Sequence, residues 1–70
     1  MRDVEINREP VELYKVLKFE GMASSGAIAK IVISKGKVLV NGNVETRKRK
    51  KLMSGDTIEF DNDKIRLITL

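Results

Sequence analysis

Cysteine and histidine are absent from this 70-residue sequence. Without cysteine there is no disulfide framework and no thiolate metal site, and without histidine the usual general base and the commonest metal ligand are missing. The acidic residues near the C-terminus do not have the spacing of a calcium-binding loop. We therefore expect no metal, no cofactor and no small-molecule substrate.

The serines give little basis for an enzyme. Ser24 and Ser25 have no histidine to activate either hydroxyl, and a pairing with Lys30 requires a strained geometry that the sequence does not indicate. We expect no catalytic residue, and a protein that is not an enzyme.

Long hydrophobic runs are also missing. No apolar stretch approaches the roughly 20 residues that a membrane-crossing helix needs, and the first residues lack the apolar core of a secretory signal. We expect a cytoplasmic location and no membrane partner. Seventy residues are about half of an ordinary domain, so the expectation is a single domain over 1–70. We expect this domain to be a monomer.

The charges are unevenly distributed along the chain. The segment from Lys30 to Lys51, here called the basic sector, contains eight basic residues and one acid, Glu45, which gives a net charge of +7. The other 48 residues contain six basic and nine acidic residues, a net charge of −3. A basic sector on a slightly acidic body favours a directed surface for a polyanion.

Hydrophobic periodicity and turn residues predict an α+β fold, with two helices packed on a small, mostly antiparallel sheet. The Asn41-Gly42 pair is the strongest short hairpin signal. The predicted order is β-α-α-β-β-β-β. Its elements are a strand around Val4 and Ile6, helix one over Pro10–Phe19, helix two over 25–35, a hairpin over Lys37–Glu45, and strands over Thr57–Phe60 and Lys64–Leu70.

The periodicity also predicts which side chains form the core. In helix one, Leu13, Tyr14 and Leu17 should face the core, with Val16 at its edge. Helix two is apolar on nearly every side, which predicts the central core helix. The three aromatic residues, Tyr14 and two phenylalanines, are expected in or near the core.

Two features could bind phosphate. The run Arg47-Lys48-Arg49-Lys50-Lys51 places five positive charges in five residues; a solvated loop is the alternative. The start of helix two, at Ser25 and Gly26, offers free amides, and Lys30 follows one turn later. Ordinary helix capping is the alternative there.

Exposed aromatic residues are needed to stack unpaired bases, so their expected burial disfavours a single-strand platform. Recognition of structured RNA by shape and phosphate, or non-specific binding to duplex DNA, remains. The alternative from a different class is a protein-interaction module that docks an acidic partner or associates with the ribosome through a protein contact.

One combination of motifs resembles a known family. Gly21, Ala23-Ser24-Ser25, Ala29-Lys30, Gly36-x-Val38-x-Val40-Asn41-Gly42 and Gly55-Asp56 together resemble the small RNA-binding domain named after ribosomal small-subunit protein four, over residues 11 to 60. The segments Ser25-Gly26-Ala27-x-Ala29-Lys30 and Glu45–Arg49 are similar to its free-standing YbcJ-like subgroup.

The resemblance implies an αL motif, two helices against a hairpin, that binds structured RNA, with ribosomal RNA as one candidate. Many relatives have Arg-Leu-Asp where this chain has Glu12-Leu13-Tyr14, and an arginine in place of Gly26. Two of the family's usual cations are therefore absent; either the RNA surface has shifted towards Lys30 and the basic run, or RNA affinity is weak and the partner differs. The expected RNA-binding residues are Ser25, Gly26, Lys30, Lys37, Asn41, Gly42, Arg47, Lys48, Arg49 and Lys50.

Overall fold

The structure is a computed structural model and describes residues 1–69. Leu70, the final residue of the last predicted strand, lies outside the described residues. In chain order the elements are β1 (Arg2–Glu5), β2 (Val11–Glu12), α1 (Leu13–Phe19), α2 (Gly26–Ser34), β3 (Leu39–Val40), β4 (Asn43–Val44), β5 (Lys51–Leu52), β6 (Thr57–Phe60) and β7 (Asp63–Ile68).

The strands form two sheets. The larger sheet has the order β1-β7-β6-β3-β4, in which β1 runs parallel to β7 and the other pairs are antiparallel. The smaller sheet pairs β2 with β5, two strands that the sequence pattern does not predict. The α+β class and the mostly antiparallel sheet are confirmed. Because β1 pairs with β7, the last strand is not a sheet edge.

The two helices pack against each other and close one hydrophobic core with the strands. Neither helix within residues 1–69 has the length and apolar character that crossing a membrane requires. The largest fully buried side chains are those of Leu13, Leu17, Ile33, Val38, Leu52, Ile58, Ile65 and Leu67. Full burial of one of these aliphatic side chains contributes roughly 1.5–3 kcal/mol to the stability of the fold.

Helix α1 differs from its prediction in its start and in its buried face. It begins at Leu13, not at Pro10, because Val11 is part of β2 and pairs with β5. Val16 is buried, whereas Tyr14 is half-buried and packs against the edge of the core, so the expected roles of these two residues are exchanged. The helix therefore turns one side of the tyrosine ring outwards.

Two other burial predictions are wrong. Phe19, at the end of α1, is 72% exposed. Helix α2 is not a central core helix: Ala29 and Ile33 are buried, but Ile28 and Ile31 are exposed, since only one side of this helix faces the sheet and α1. Apolar residues on nearly every side do not require burial on every side.

The Asn41-Gly42 hairpin is confirmed. Both residues have positive φ, 52° and 84°, as a tight two-residue turn between β3 and β4 requires. Glycine adopts this geometry without a steric penalty, and asparagine does so more readily than most residues. The turn sets the register of the hairpin and so the point at which the basic run leaves the sheet.

Candidate nucleic-acid interface

The basic loop (residues 45–50) connects β4 to β5 and is anchored to the start of α1. The Leu13 N–H donates to the Lys50 carbonyl (3.0 Å), and the Tyr14 N–H donates to the Lys48 carbonyl (3.1 Å). These amides lie in the first helical turn, where they have no acceptor within the helix. The residue before the helix makes no side-chain capping bond. The loop thus caps the helix, and the helix fixes the path of the loop.

Four side chains from three elements meet beside this anchor, and we call them the Tyr14 cluster: Tyr14, Lys15, Lys30 and Arg49. The Lys30 Nζ lies 4.6 Å from the centroid of the tyrosine ring, the Arg49 Cζ 5.4 Å and the Lys15 Nζ 6.0 Å. Cations within about 6 Å of a ring centroid are attracted by the ring quadrupole. The ring therefore gathers cations that are far apart in sequence.

One carboxylate partly balances the cluster. Glu12 lies 3.4 Å from Lys15 Nζ and 3.7 Å from the Arg49 guanidinium. Arg49 nevertheless remains 63% exposed, and Lys30 has no carboxylate within ion-pair distance among residues 1–69. The cluster keeps a net positive charge, so it can receive an anion.

The start of α2 lies beside the cluster. The Ser25 hydroxyl accepts a hydrogen bond from the Ile28 N–H (3.1 Å), so this serine caps the helix. A Cβ on Gly26 would lie 3.7 Å from the Cδ of Lys18 and 3.8 Å from ring carbons of Tyr14. The glycine thus lets the backbone at the start of α2 lie close to the tyrosine ring.

Arg47 has a different environment, because it forms an ion pair within its own loop. Its Nε and one terminal nitrogen donate to the two carboxylate oxygens of Glu45 (2.9 and 3.0 Å), and its backbone N–H donates to the same carboxylate (3.0 Å). These hydrogen bonds lower the pKa of Glu45 from 4.5 to about 2, and the carboxylate raises the pKa of Arg47. The charge of Arg47 is therefore already compensated.

Lys37 follows the end of α2 and is exposed. Its N–H donates to the Val32 carbonyl (3.1 Å), and the next residue, Val38, accepts a hydrogen bond from the Glu45 N–H (3.0 Å). The backbone of Lys37 therefore lies close to the Glu45–Arg47 pair, about two helical turns beyond Lys30 along the chain.

The polar groups of Asn41 serve the fold. Its Nδ2 donates to Asp56 Oδ1 (3.0 Å), and its Oδ1 accepts from the Thr57 N–H (2.9 Å). These bonds join the hairpin turn to the start of β6. None of the contacts of Asn41 or Gly42 among residues 1–69 joins them to the Tyr14 cluster.

The structure therefore divides the sequence-predicted site residues into groups. Lys30 and Arg49 lie at the tyrosine ring, and Ser25 and Gly26 lie beside it. Lys48 and Lys50 hold the basic loop to α1 through their carbonyls, and their side chains are exposed and half-buried respectively. Tyr14 and Lys15 were not identified as site residues from the sequence. The available signal was Gly26, where the absence of a side chain lets α2 lie close to the tyrosine ring.

A concavity lies between the β1–β2 connection and the outer side of α1 and adjoins the Tyr14 cluster at Lys15. It has a volume of about 870 Å³ and includes the exposed ring of Phe19. Its charged lining mixes four glutamates with three basic residues, so it offers no uniform charge to a polyanion. The charged residues of this groove are Glu5, Glu9, Glu12, Glu20, Arg8, Lys15 and Lys51.

Comparison with known sequences relates the chain to proteins of similar length. "Putative RNA-binding protein YbcJ" of Escherichia coli (strain K12) is 44% identical over 69 residues, which cover 97% of this chain and 99% of that protein. "Probable ribosome maturation protein RlbA" of Bacillus subtilis (strain 168) is 34% identical over 58 residues, which cover 83% of this chain and 82% of that protein.

A solved structure agrees with this result. The solution structure of YbcJ from E. coli, described as revealing an αL motif involved in RNA binding, superposes with a TM-score of 0.74 at 43% identity. The match covers 97% of this chain and 87% of the YbcJ chain. The family model of the S4 domain matches residues 4–68. The chain therefore belongs to the S4 domain family.

Proposed function

We propose that this protein binds structured RNA by contacting the phosphates of the RNA backbone, and that it catalyses no reaction. The observation that carries the proposal is the Tyr14 cluster, in which cations from α1, α2 and the basic loop surround one ring and exceed the charge of Glu12 beside them. Lysine contacts phosphate as a point charge and arginine as a two-pronged donor, so such a surface can follow a ribose-phosphate chain without reading bases.

Each predicted residue has a role in this proposal. Lys30 and Arg49 make the central phosphate contacts, and Lys48 and Lys50 extend the surface along the basic loop. Lys37 and Arg47 lie at its periphery. The amides at Ser25 and Gly26 can hold one phosphate, since the first turn of a helix has unpaired N–H groups. Asn41 and Gly42 maintain the hairpin.

The names of the relatives support RNA as the partner. YbcJ is named as an RNA-binding protein and RlbA as a ribosome maturation protein, so ribosomal RNA is the first RNA to test. We propose that the chain acts as a monomer in the cytoplasm, where this RNA is found.

Fluorescence anisotropy with a labelled ribosomal RNA hairpin tests the proposal. We expect saturable binding by the wild-type protein and about 100-fold weaker binding by the double variant Lys30→Ala/Arg49→Ala, because each charged contact contributes about 1.5 kcal/mol or more. Lys64→Ala is the matched control: it removes an exposed lysine from β7, outside the basic sector, and should bind as the wild type does.

Equal binding by the wild type and the double variant would contradict the proposal. The protein-docking alternative is tested by a pull-down from a cell extract with and without nuclease. A complex held by RNA dissociates on nuclease treatment, whereas a complex held by an acidic protein survives. Survival of the complex would favour protein docking over RNA binding.

A further inference from the structure

The tyrosine ring differs from the other aromatic rings of the chain in its surroundings. Phe60 packs against the core, and Phe19, although exposed, has one cation near its ring, Lys18 at 5.3 Å. Tyr14 is half-buried and has three cations within 6.0 Å of its centroid. Building on the proposed function, we propose that Tyr14 stacks one unpaired base, so that the preferred RNA is a helix with a bulged nucleotide.

The charge at the ring favours a nucleotide as the occupant. Three cations crowd around one aromatic ring, and Glu12 compensates only part of their charge. A nucleotide carries both complementary groups: its phosphate neutralises the cations, and its base offers a flat face to the ring. An acidic side chain of a protein would satisfy the cations but leave the ring without a stacking partner.

The ring is half-buried, and the cationic side chains of Lys30 and Arg49 lie against it. On the flank of α2, a Cβ at Gly26 would lie in ordinary van der Waals contact with the ring carbons, at 3.8 Å, so the backbone of that helix stays close to the ring. The Lys30 Nζ lies over the ring at 4.6 Å. Its flexible four-carbon stem allows the ammonium to move from the ring to the incoming phosphate. The Arg49 guanidinium, also at the ring, can stack on the base as arginine does in RNA complexes.

A continuous duplex cannot use this ring, because its bases are stacked on one another and their faces are covered. A bulged nucleotide has a free base between two helical phosphate tracks, which the lysines of the basic loop can contact. Stacking of one base on an aromatic side chain changes affinity by about 5- to 150-fold. We therefore expect a preference for bulged RNA near tenfold.

The test compares two RNA hairpins that differ by a single bulged 2-aminopurine. The wild-type protein should bind the bulged hairpin about tenfold more tightly, and the 2-aminopurine fluorescence should fall as the base stacks. Tyr14→Leu should bind both hairpins with equal affinity, whereas Tyr14→Phe should keep the preference. Phe19→Leu, which removes an exposed aromatic ring outside the Tyr14 cluster, is the matched control and should also keep it.

The outcomes separate this inference from the proposed function. If the wild type binds both hairpins equally with unchanged fluorescence, or if Tyr14→Leu keeps the preference, base stacking is contradicted while phosphate binding stands. Failure of the wild type to bind either hairpin contradicts both. Circular dichroism checks the folding of each variant; should Tyr14→Leu not fold, the fluorescence change with the wild type and Tyr14→Phe decides.

Discussion

Two groups of basic residues in this molecule differ in how their charge is compensated. Beside β1 and β7, Arg2 contacts Asp63 (2.8 Å) and Glu20 (3.3 Å), and Arg66 contacts Asp3 (3.1 Å). In the basic sector, by contrast, six lysines have no carboxylate within ion-pair distance among residues 1–69. These lysines are Lys30, Lys35, Lys37, Lys48, Lys50 and Lys51.

The difference shows that basic residues have two roles in one small fold. The arginines of the first group link neighbouring strands and the end of α1, and their charge is used inside the molecule. The cations of the basic sector are held by main-chain bonds and by a tyrosine ring instead, so their charge stays available to an outside anion. The two arginines of the sector have carboxylate partners: Glu45 compensates Arg47, and Arg49 shares Glu12 with Lys15.

The greatest loss of stability is expected from truncating the buried residue that follows the basic loop. Leu52 in β5 is fully buried, and truncation of such a side chain costs about 2–5 kcal/mol. Leu52→Ala should lower the free energy of unfolding by that amount in a urea titration, and RNA binding should fall with it. Met53→Ala, at the exposed neighbouring residue, should stay within about 0.5 kcal/mol of the wild type. Equal costs for the two variants would contradict the burial of Leu52 in the core.

Arg49 and Arg47 offer a comparison within the sector. Arg49→Ala should weaken RNA binding about tenfold, because a charged hydrogen bond to phosphate contributes about 1.5 kcal/mol. Arg47→Ala should weaken it less, since its guanidinium already binds Glu45. Anisotropy titrations of both variants measure this ranking. A larger loss of RNA affinity for Arg47→Ala than for Arg49→Ala would contradict the assignment of Arg49 as a central phosphate contact.

The Glu45–Arg47 pair should also make stability depend on pH. The pKa of Glu45 is about 2 in the folded protein and 4.5 ordinarily, so its stabilisation is complete above about pH 4.5 and is lost as the pH falls towards 2. Urea titrations should show the wild type about 1 kcal/mol more stable than Glu45→Gln at about pH 5. This difference should shrink at about pH 2.5. A pH-independent difference would show that the ion pair is not the cause.

The smallest effect is expected at the ion pairs beside β1 and β7. Arg2→Ala removes two exposed ion pairs and should cost about 0.5 kcal/mol of unfolding free energy, as surface pairs generally do. RNA affinity should not change, although the variant loses the same formal charge as Arg49→Ala. A comparable loss of affinity in both variants would mean that net charge, and not the arrangement of cations, determines binding.

Local chemistry explains what the sequence predicted well. The Asn41-Gly42 turn, the capped start of α2 and the strand over Thr57–Phe60 depend on residues that are neighbours in the chain, and all three are confirmed. The concentration of positive charge over Lys30–Lys51 was also visible, because β3, β4 and the basic loop are contiguous in sequence.

Long-range contacts explain what the sequence did not predict. The pairing of β2 with β5 joins Val11 to Leu52, and neither two-residue strand has a periodicity of its own. That pairing moves the start of α1 to Leu13 and turns Tyr14 outwards towards the cations. The compensation of Arg47 depends on the geometry of one loop, which spacing does not reveal. The arrangement at the ring therefore follows from tertiary structure.

The salt dependence of RNA affinity is the most direct measure of phosphate binding, since each phosphate contact releases condensed counterions. For four to six neutralised phosphates, the plot of log affinity against log salt concentration should have a slope of about −3 to −5 for the wild type. For Lys30→Ala/Arg49→Ala the slope should be shallower by about two. A flat plot for the wild type, or equal slopes for both proteins, would contradict a phosphate-binding surface centred on the Tyr14 cluster.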